Sequence, residues 1–268
     1  MNTPALSTTS RRAAPSLWLP DGSPQTDSVL PRLFCFSYAG GTSEAYRQWQ
    51  PDLREHCLVC PVELPGRGAR FGEPFIESLA EAAAQAAEAI AAYADRPYAL
   101  FGHSLGSVTA LETARGLERL KAPPPLRLIV SGRYPPHVAA ARKNLHRLDD
   151  AAIVKELRRL GGTPEDVLVN SDFLDMLLPI VRDDFRLLET HSSPDGPQLP
   201  MPVSVCCGRN DHDSPPHLLQ RWAEITENAC DLTLFPGGHF YIQDRKNDLL
   251  SHLKNLLADD LDASWTIQ

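Results

Sequence analysis

Short apolar runs alternate with longer amphipathic stretches along most of this 268-residue chain, and that alternation restricts the fold more than any other feature. The runs "RLFCFS" (32–37), "CLVCPVEL" (57–64), "YALFG" (98–102), "LRLIVSG" (126–132), "PVSVCCG" (202–208) and "DLTLF" (231–235) read as strands. They are brief, rich in β-branched, aromatic or cysteine residues, and most are bounded by Gly or Pro. Between them, "SLAEAAAQAAEAIAAYA" opens on Ser78 with Glu81 three residues later, a capping box ahead of an alanine-rich helix. "SLGSVTALETARGLERL", "HLLQRWAEIT" and "KNDLLSHLKNLLADDL" carry helical spacing as well. Strands separated by helices imply an α/β fold, a mostly parallel sheet with helices on both faces.

One interval breaks the rhythm. From about 133 to 198 no strand is expected, but "DDAAIVKELRRLGG", "TPEDVLVN" and "DFLDMLLPIVRDDFRLLETH" are helical, with Gly161 and Gly162 ending the first and Pro179 expected to kink or divide the last. A helical insertion between two strands suggests a lid over a site at the strand ends. Residues 1–30 read as a flexible tail, in which "SLWL" could pack on the body, and 31–268 as one domain.

The net charge of −8 argues against nucleic acid or an anionic membrane as partner. No apolar run approaches the ~18 residues of a membrane span. The N-terminal Arg pair is followed by Pro15 and Pro20, which leave no apolar signal segment, so a cytoplasmic location is expected. Cys57 and Cys60 form a C-x-x-C, but residues three apart on a strand face opposite sides and cannot share one ion. Buried free thiols are expected instead.

"YALFGHSLGSVTALETA" places Gly102-x-Ser104-x-Gly106 between a strand and a helix. A serine hydroxyl needs a base to become a nucleophile, and it must project from the scaffold. A sharp strand-to-helix turn achieves this and crowds the positions two before and two after the serine, hence the glycines. Of the nine histidines, His239 follows the last strand and a glycine turn, at the edge where open α/β sheets bind ligands. His103 must point away from the turn and reads as structural. The loop "GRNDHDSP" after the penultimate strand offers Asp211 and Asp213 to orient His239, and Asp211, three residues past Gly208, is the choice. The Leu105 N–H should donate to a developing oxyanion, with a second donor from the glycine-rich "FSYAGGTSEAYRQW". That loop lacks the Lys-Ser/Thr of a phosphate loop and the spacing of a dinucleotide fingerprint.

With these residues in place, the chain resembles the type II thioesterases, stand-alone enzymes of the α/β-hydrolase fold that serve polyketide synthases and nonribosomal peptide synthetases. "FCFSYAGGTSEAYRQW", "ELPGRGARFGEP", "ALFGHSLGS", "LPIVRDDFRLLE", "CGRNDHDSP" and "PGGHFYI" look like family segments in family order. The resemblance implies Ser104 as nucleophile, His239 as base, Asp211 as its partner, and the Ala39 and Leu105 N–H groups as oxyanion hole. It also implies a helical lid. Ser37 departs from it, standing where the family commonly has proline.

The implied substrate is an acyl or peptidyl thioester on the phosphopantetheine arm of a carrier protein, hydrolysed to free stalled or aberrant chains, with no metal or bound cofactor. A carboxylesterase or lipase on free esters, and an inactive module that only binds carrier proteins, are the alternatives. Ile153, Leu157, Phe173, Leu177 and Ile180 are the apolar positions expected either to cover the acyl group or merely to pack the insertion on the body. Because carrier proteins are generally acidic, docking would need a local basic rim; Arg67, Arg70, Arg133, Arg142 and Lys143 are the candidates, each equally readable as a solvated charge.

Overall fold

Every one of the expected strands forms. In the computed structural model, which describes residues 16–20, 29–138, 143–193 and 197–266, they are β1 (Arg32–Phe36), β2 (Leu58–Val62), β3 (Tyr98–His103), β4 (Leu128–Ser131), β5 (Val203–Gly208) and β6 (Cys230–Phe235). They join in one parallel sheet of order β2-β1-β3-β4-β5-β6. Most of the expected tail, and Arg142, lie outside the described residues. "SLWL" does dock: Trp18 and Leu19 are buried, and the Glu63 N–H donates to Trp18 O at 3.0 Å.

The ten helices among the described residues are α1 (Glu44–Arg47), α2 (Gln50–Leu53), α3 (Leu79–Ala91), α4 (Leu105–Arg119), α5 (Asp150–Leu160), α6 (Glu165–Leu168), α7 (Ser171–Thr190), α8 (Pro216–Leu219), α9 (Tyr241–Asp244) and α10 (Lys246–Thr266). Strand pleating sends alternate side chains into two apolar layers. Phe34, Leu100, Val130 and Val205 pack with Ala86 of α3 and Val108 of α4. Leu33, Phe101, Ile129 and Cys206 pack with Tyr46 of α1, Leu53 of α2 and Leu253 of α10. Cys60 joins the first layer and Cys57 the second, so the C-x-x-C pair is split across the sheet. Burial pushes the Cys57 thiol up to about 12, as suits an inert core thiol.

Local chemistry explains the element ends. Ser78 Oγ accepts the Glu81 N–H at 3.1 Å and opens α3. Asp149 caps α5 by accepting the Ala152 N–H at 2.8 Å, and Asn170 caps α7. Gly161, at φ 78°, closes α5. Two expectations differ in detail. The stretch at 217–226 forms only the short α8 and a 3-10 turn, Gln220–Glu224. Pro179 does not divide α7, which runs unbroken over 20 residues. The proline sits on the exposed face, where solvent can satisfy the carbonyl that loses its donor.

Helices α5, α6 and α7 lie between β4 and β5 and share an apolar cluster of Ile153, Leu157, Leu168, Leu178, Val181 and Phe185. Among the described residues no helix is long and apolar enough to cross a membrane.

Candidate active site

All strands run the same way, so the loops that follow them gather at one edge of the sheet. Registers His103↔Ser131 and Gly208↔Phe235 set the ends of β3, β4, β5 and β6 side by side. Ser104 follows β3 at once and is the residue before α4, with φ 56° and ψ −115°. A non-glycine residue held there costs roughly 1–3 kcal/mol, a strain typical of functional sites. The flanking glycines are sterically required. A Cβ on Gly102 would sit 2.0 Å from Gly106 O, and one on Gly106 would sit 2.1 Å from Phe36 O. Leu105 is the first residue of α4, so its N–H has no acceptor within the helix.

His239 and Asp211 come from adjacent loops tied by backbone bonds, Arg209 N–H to Phe235 O (2.8 Å) and Asn210 N–H to Gly237 O (2.9 Å). His239 Nδ1 lies 2.7 Å from Asp211 Oδ2, and both side chains are buried. An ionised carboxylate only accepts, so Nδ1 carries the proton and Nε2 is left as the acceptor. Asp213 plays a different part. Its carboxylate turns to α5 and the segment before it, where it pairs with Arg159 and, at 2.9 Å, Lys143. Its N–H donates to Asp211 Oδ1 at 3.1 Å and so helps to aim the other aspartate.

Ser104 and His239 line one cleft of about 600 Å³. Its apolar walls include Val108, Leu145, Leu160, Phe185, Leu188 and Leu218. The loop after β1 is braced internally, since Ser37 Oγ donates to Thr42 O at 2.9 Å and Gly41 N–H to Tyr38 O at 2.9 Å. A serine at 37 therefore supplies a hydrogen bond that a proline there could not make.

A strained serine, a histidine–aspartate pair and a shared cleft suit acyl transfer, and the comparisons agree. A thioesterase domain family model matches residues 31–257. The chain belongs to the thioesterase family. Thioesterase PikA5 of Streptomyces venezuelae is 35% identical to it over 242 residues, covering 88% of this chain and 85% of that protein. Linear gramicidin dehydrogenase LgrE of Brevibacillus parabrevis is 34% identical over 251 residues, covering 92% of this chain and 95% of that one. Among solved structures, the type II thioesterase BorB from the borrelidin biosynthetic cluster superposes with a TM-score of 0.79 at 34% identity, over 85% of this chain and 93% of BorB. The parallel sheet with flanking helices is thus the α/β-hydrolase fold of these thioesterases.

In this thioesterase the expected acyl-covering residues are not where the sequence suggested. Ile153, Leu157, Phe173, Leu177 and Ile180 are absent from the cleft lining. Ile153 and Leu157 fill the insertion's own core with Leu177 packed against it, Ile180 is buried, and Phe173 is 51% exposed. Apolar periodicity reports that a helix face is covered, not by what. The basic rim also needs correction. Arg67 is 2% exposed and bound to Asp184, while Arg70 is buried over the Trp18 ring and bonded to Glu73. Lys143 is exposed, but its ammonium is held by Glu156 (3.0 Å) and Asp213. Arg133 is half-buried, lies over the Tyr134 ring and lines the cleft.

His103, read as structural, is fully buried beside His239, their ring centroids 5.0 Å apart. Its Nδ1 lies 2.9 Å from Ser131 Oγ, which lies 2.7 Å from the Tyr241 hydroxyl. Burial first, and then the nearby His239, hold its pKa well below 6.5. A histidine kept neutral in the fold but free to take a proton when unfolded makes stability fall as pH drops below about 6.5. Equilibrium unfolding at several pH values should therefore show His103→Gln losing up to about 1.4 kcal/mol per pH unit of the wild-type slope below that point. Identical slopes in the two proteins would mean that His103 is not held neutral.

Proposed function

We propose that Ser104, His239 and Asp211 form a catalytic triad that hydrolyses acyl or peptidyl thioesters on the phosphopantetheine arm of a carrier protein. The observation that carries this reading is the buried His239–Asp211 pair, which leaves Nε2 as an acceptor in the same cleft as the strained Ser104. His239 takes the Ser104 proton as Oγ bonds to the thioester carbon, and the carbonyl electrons move to an oxyanion facing the Ala39 and Leu105 N–H groups. When the intermediate collapses, the C–S bond breaks and His239 returns the proton to the pantetheine sulfur. Water, deprotonated by His239, then attacks the acyl-serine. As this second intermediate collapses, the C–Oγ bond breaks, His239 returns the proton to Ser104 Oγ, and the carboxylic acid is freed.

The insertion at about 133–198 is a lid, and the acyl chain lies against Leu145, Leu160, Phe185 and Leu188 from it. The relatives support the setting: PikA5 is named a thioesterase, and BorB is a type II thioesterase of a biosynthetic cluster. Removing stalled or aberrant chains is the role that such an enzyme fits. LgrE is named a dehydrogenase, but in this chain the turn after β1 reads "SYAGGTS", without dinucleotide-fingerprint spacing.

The substrate class is tested by comparing kcat/KM for an acylated carrier protein with that for a small oxygen ester bearing the same acyl group. The carrier-bound thioester should be preferred by at least about tenfold, a difference of about 1.4 kcal/mol in transition-state stabilisation. Preference for the free ester would make the protein a carboxylesterase. Carrier binding without turnover would make it a binding module.

A further inference from the structure

The turn after β1 is shaped by three charged side chains that solvent barely reaches. The Gly40 N–H donates to Asp184 Oδ2 at 2.7 Å. The same carboxylate receives Arg67 Nη1 on Oδ2 at 2.6 Å and Nη2 on Oδ1 at 2.7 Å, a two-pronged pair. Arg67 Nη1 also reaches Gly41 O at 3.4 Å. Just beyond the turn, the Ser43 N–H and hydroxyl donate to Glu63 Oε1 at 3.0 Å and Oε2 at 2.7 Å. Asp184, Glu63 and Arg67 are 0%, 1% and 2% exposed. Burial works against the charge on Arg67, but the carboxylates of Asp184, Glu63 and Asp183 reverse this and raise its pKa.

A buried ion pair of this kind is weak evidence for stability, since apolar side chains of equal volume often serve as well or better. Its geometry has a further consequence. Peptide planarity fixes the Ala39 N–H opposite Tyr38 O, and Tyr38 O is held by the Gly41 N–H at 2.9 Å. Asp184 fixes the next peptide through Gly40, and Arg67 touches Gly41 O. Successive peptide planes around Ala39 are thus clamped from α7 and from the loop after β2.

We infer that Asp184 and Arg67 are positioning residues for the oxyanion hole, aiming the Ala39 N–H through the Gly40 and Gly41 backbone. This rests on Ala39 being an oxyanion donor of the Ser104 reaction. Neither side chain touches substrate in this arrangement. Because Asp184 belongs to α7, the same helix that contributes Phe185 and Leu188 to the cleft also holds the turn after β1.

The informative variant is Arg67→Met/Asp184→Leu, which removes both members of the ion pair together, while the buried Glu63 keeps its hydrogen bonds from Ser43. Turnover is referred to the concentration of Ser104 titrated by a fluorophosphonate, so that only folded, competent enzyme is counted. We expect kcat to fall by about 10- to 100-fold, less than the 10²–10³ for outright loss of an oxyanion donor, with KM little changed. Affinity for a trifluoromethyl ketone, which forms a tetrahedral adduct with the serine, should fall by a similar factor, and the pH profile should keep its midpoint. Asp184→Asn keeps an oxygen for Gly40 but sets its NH₂ against Arg67 Nη2 and removes the guanidinium's countercharge. Its kcat per titrated Ser104 should therefore fall, by less than in the double variant. It serves as the reading if the double variant does not fold, and wild-type kcat in it would then overturn the inference. Wild-type kcat and ketone affinity in the folded double variant would overturn the inference, as would a loss confined to KM. If wild-type enzyme neither titrates with the fluorophosphonate nor binds the ketone, the Ser104 reading itself fails, and the inference falls with it.

Discussion

Replacing Ser104 by alanine is expected to reduce thioester hydrolysis by about 10⁶-fold, to the residual rate that binding and oxyanion donors alone sustain. His239→Ala should cost nearly as much, and the double variant scarcely more than either single one, because residues that act as a unit are not additive. The structural reason is the division of labour at the strand ends. Ser104 is presented by a backbone with φ 56°, which only the close approach of Gly102 and Gly106 permits, so no neighbouring hydroxyl occupies its place. Ser107, the next serine along the chain, is buried, and its hydroxyl lies 2.9 Å from Gly102 O and 2.8 Å from Ser131 O; it holds the turn. Single-turnover hydrolysis of an acyl-carrier protein, with protein folding verified by circular dichroism, checks the expectation. Near-wild-type turnover by folded Ser104→Ala would refute the mechanism.

The parts of the site that lie close to a strand end were legible in the sequence. Ser104, Asp211 and His239 each follow a strand within a few residues, and a parallel sheet brings such positions to one edge whatever the details of packing. The strands were legible for a related reason: β1, β3, β4 and β5 are buried on both faces, and breakers bound most of the runs, so the signal is local. What could not be read was pairing over distance. Arg67 in "PGRGAR" looked like a solvated charge because its partner, Asp184, is 117 residues away. One clue was present. Asp184 falls on the buried face of α7 with Val181 and Phe185, where a lone acid demands a buried partner. The cleft lining failed for another reason: Ile153 and Leu157 have core periodicity, but the core they fill belongs to the insertion itself. The 3-10 turn at Gln220–Glu224 was likewise invisible, since apolar spacing of three and four cannot separate it from an α-helix.

The two aspartates after β5 separate by function in a way that one conservative substitution exposes. Asp211 accepts from His239 Nδ1 through Oδ2 and from the Asp213 N–H through Oδ1. In Asp211→Asn the amide has one acceptor and one donor to meet two donors. If its oxygen stays on the Asp213 N–H, its NH₂ faces His239 and drives the proton from Nδ1 to Nε2, where it blocks acceptance of the serine proton. If the amide flips, its NH₂ confronts the Asp213 N–H instead. The first orientation leaves no donor-to-donor contact and should prevail, so turnover is expected to fall by up to about 10⁴-fold, as for the same change in a serine protease triad. Asp213→Asn retains its own backbone N–H on Asp211 and loses only charge at the Lys143–Arg159 contact with α5. Burial opposes the Asp213 charge, but hydrogen bonds from Lys143 and Arg159 hold its pKa below 3.8. The two part-exposed pairs contribute together no more than about 2 kcal/mol, so a loss of less than about 30-fold is expected. Measuring kcat/KM for both variants on one acylated carrier protein decides between them. The opposite ranking would assign the histidine's partner to Asp213 and require the loop to rearrange in the working enzyme.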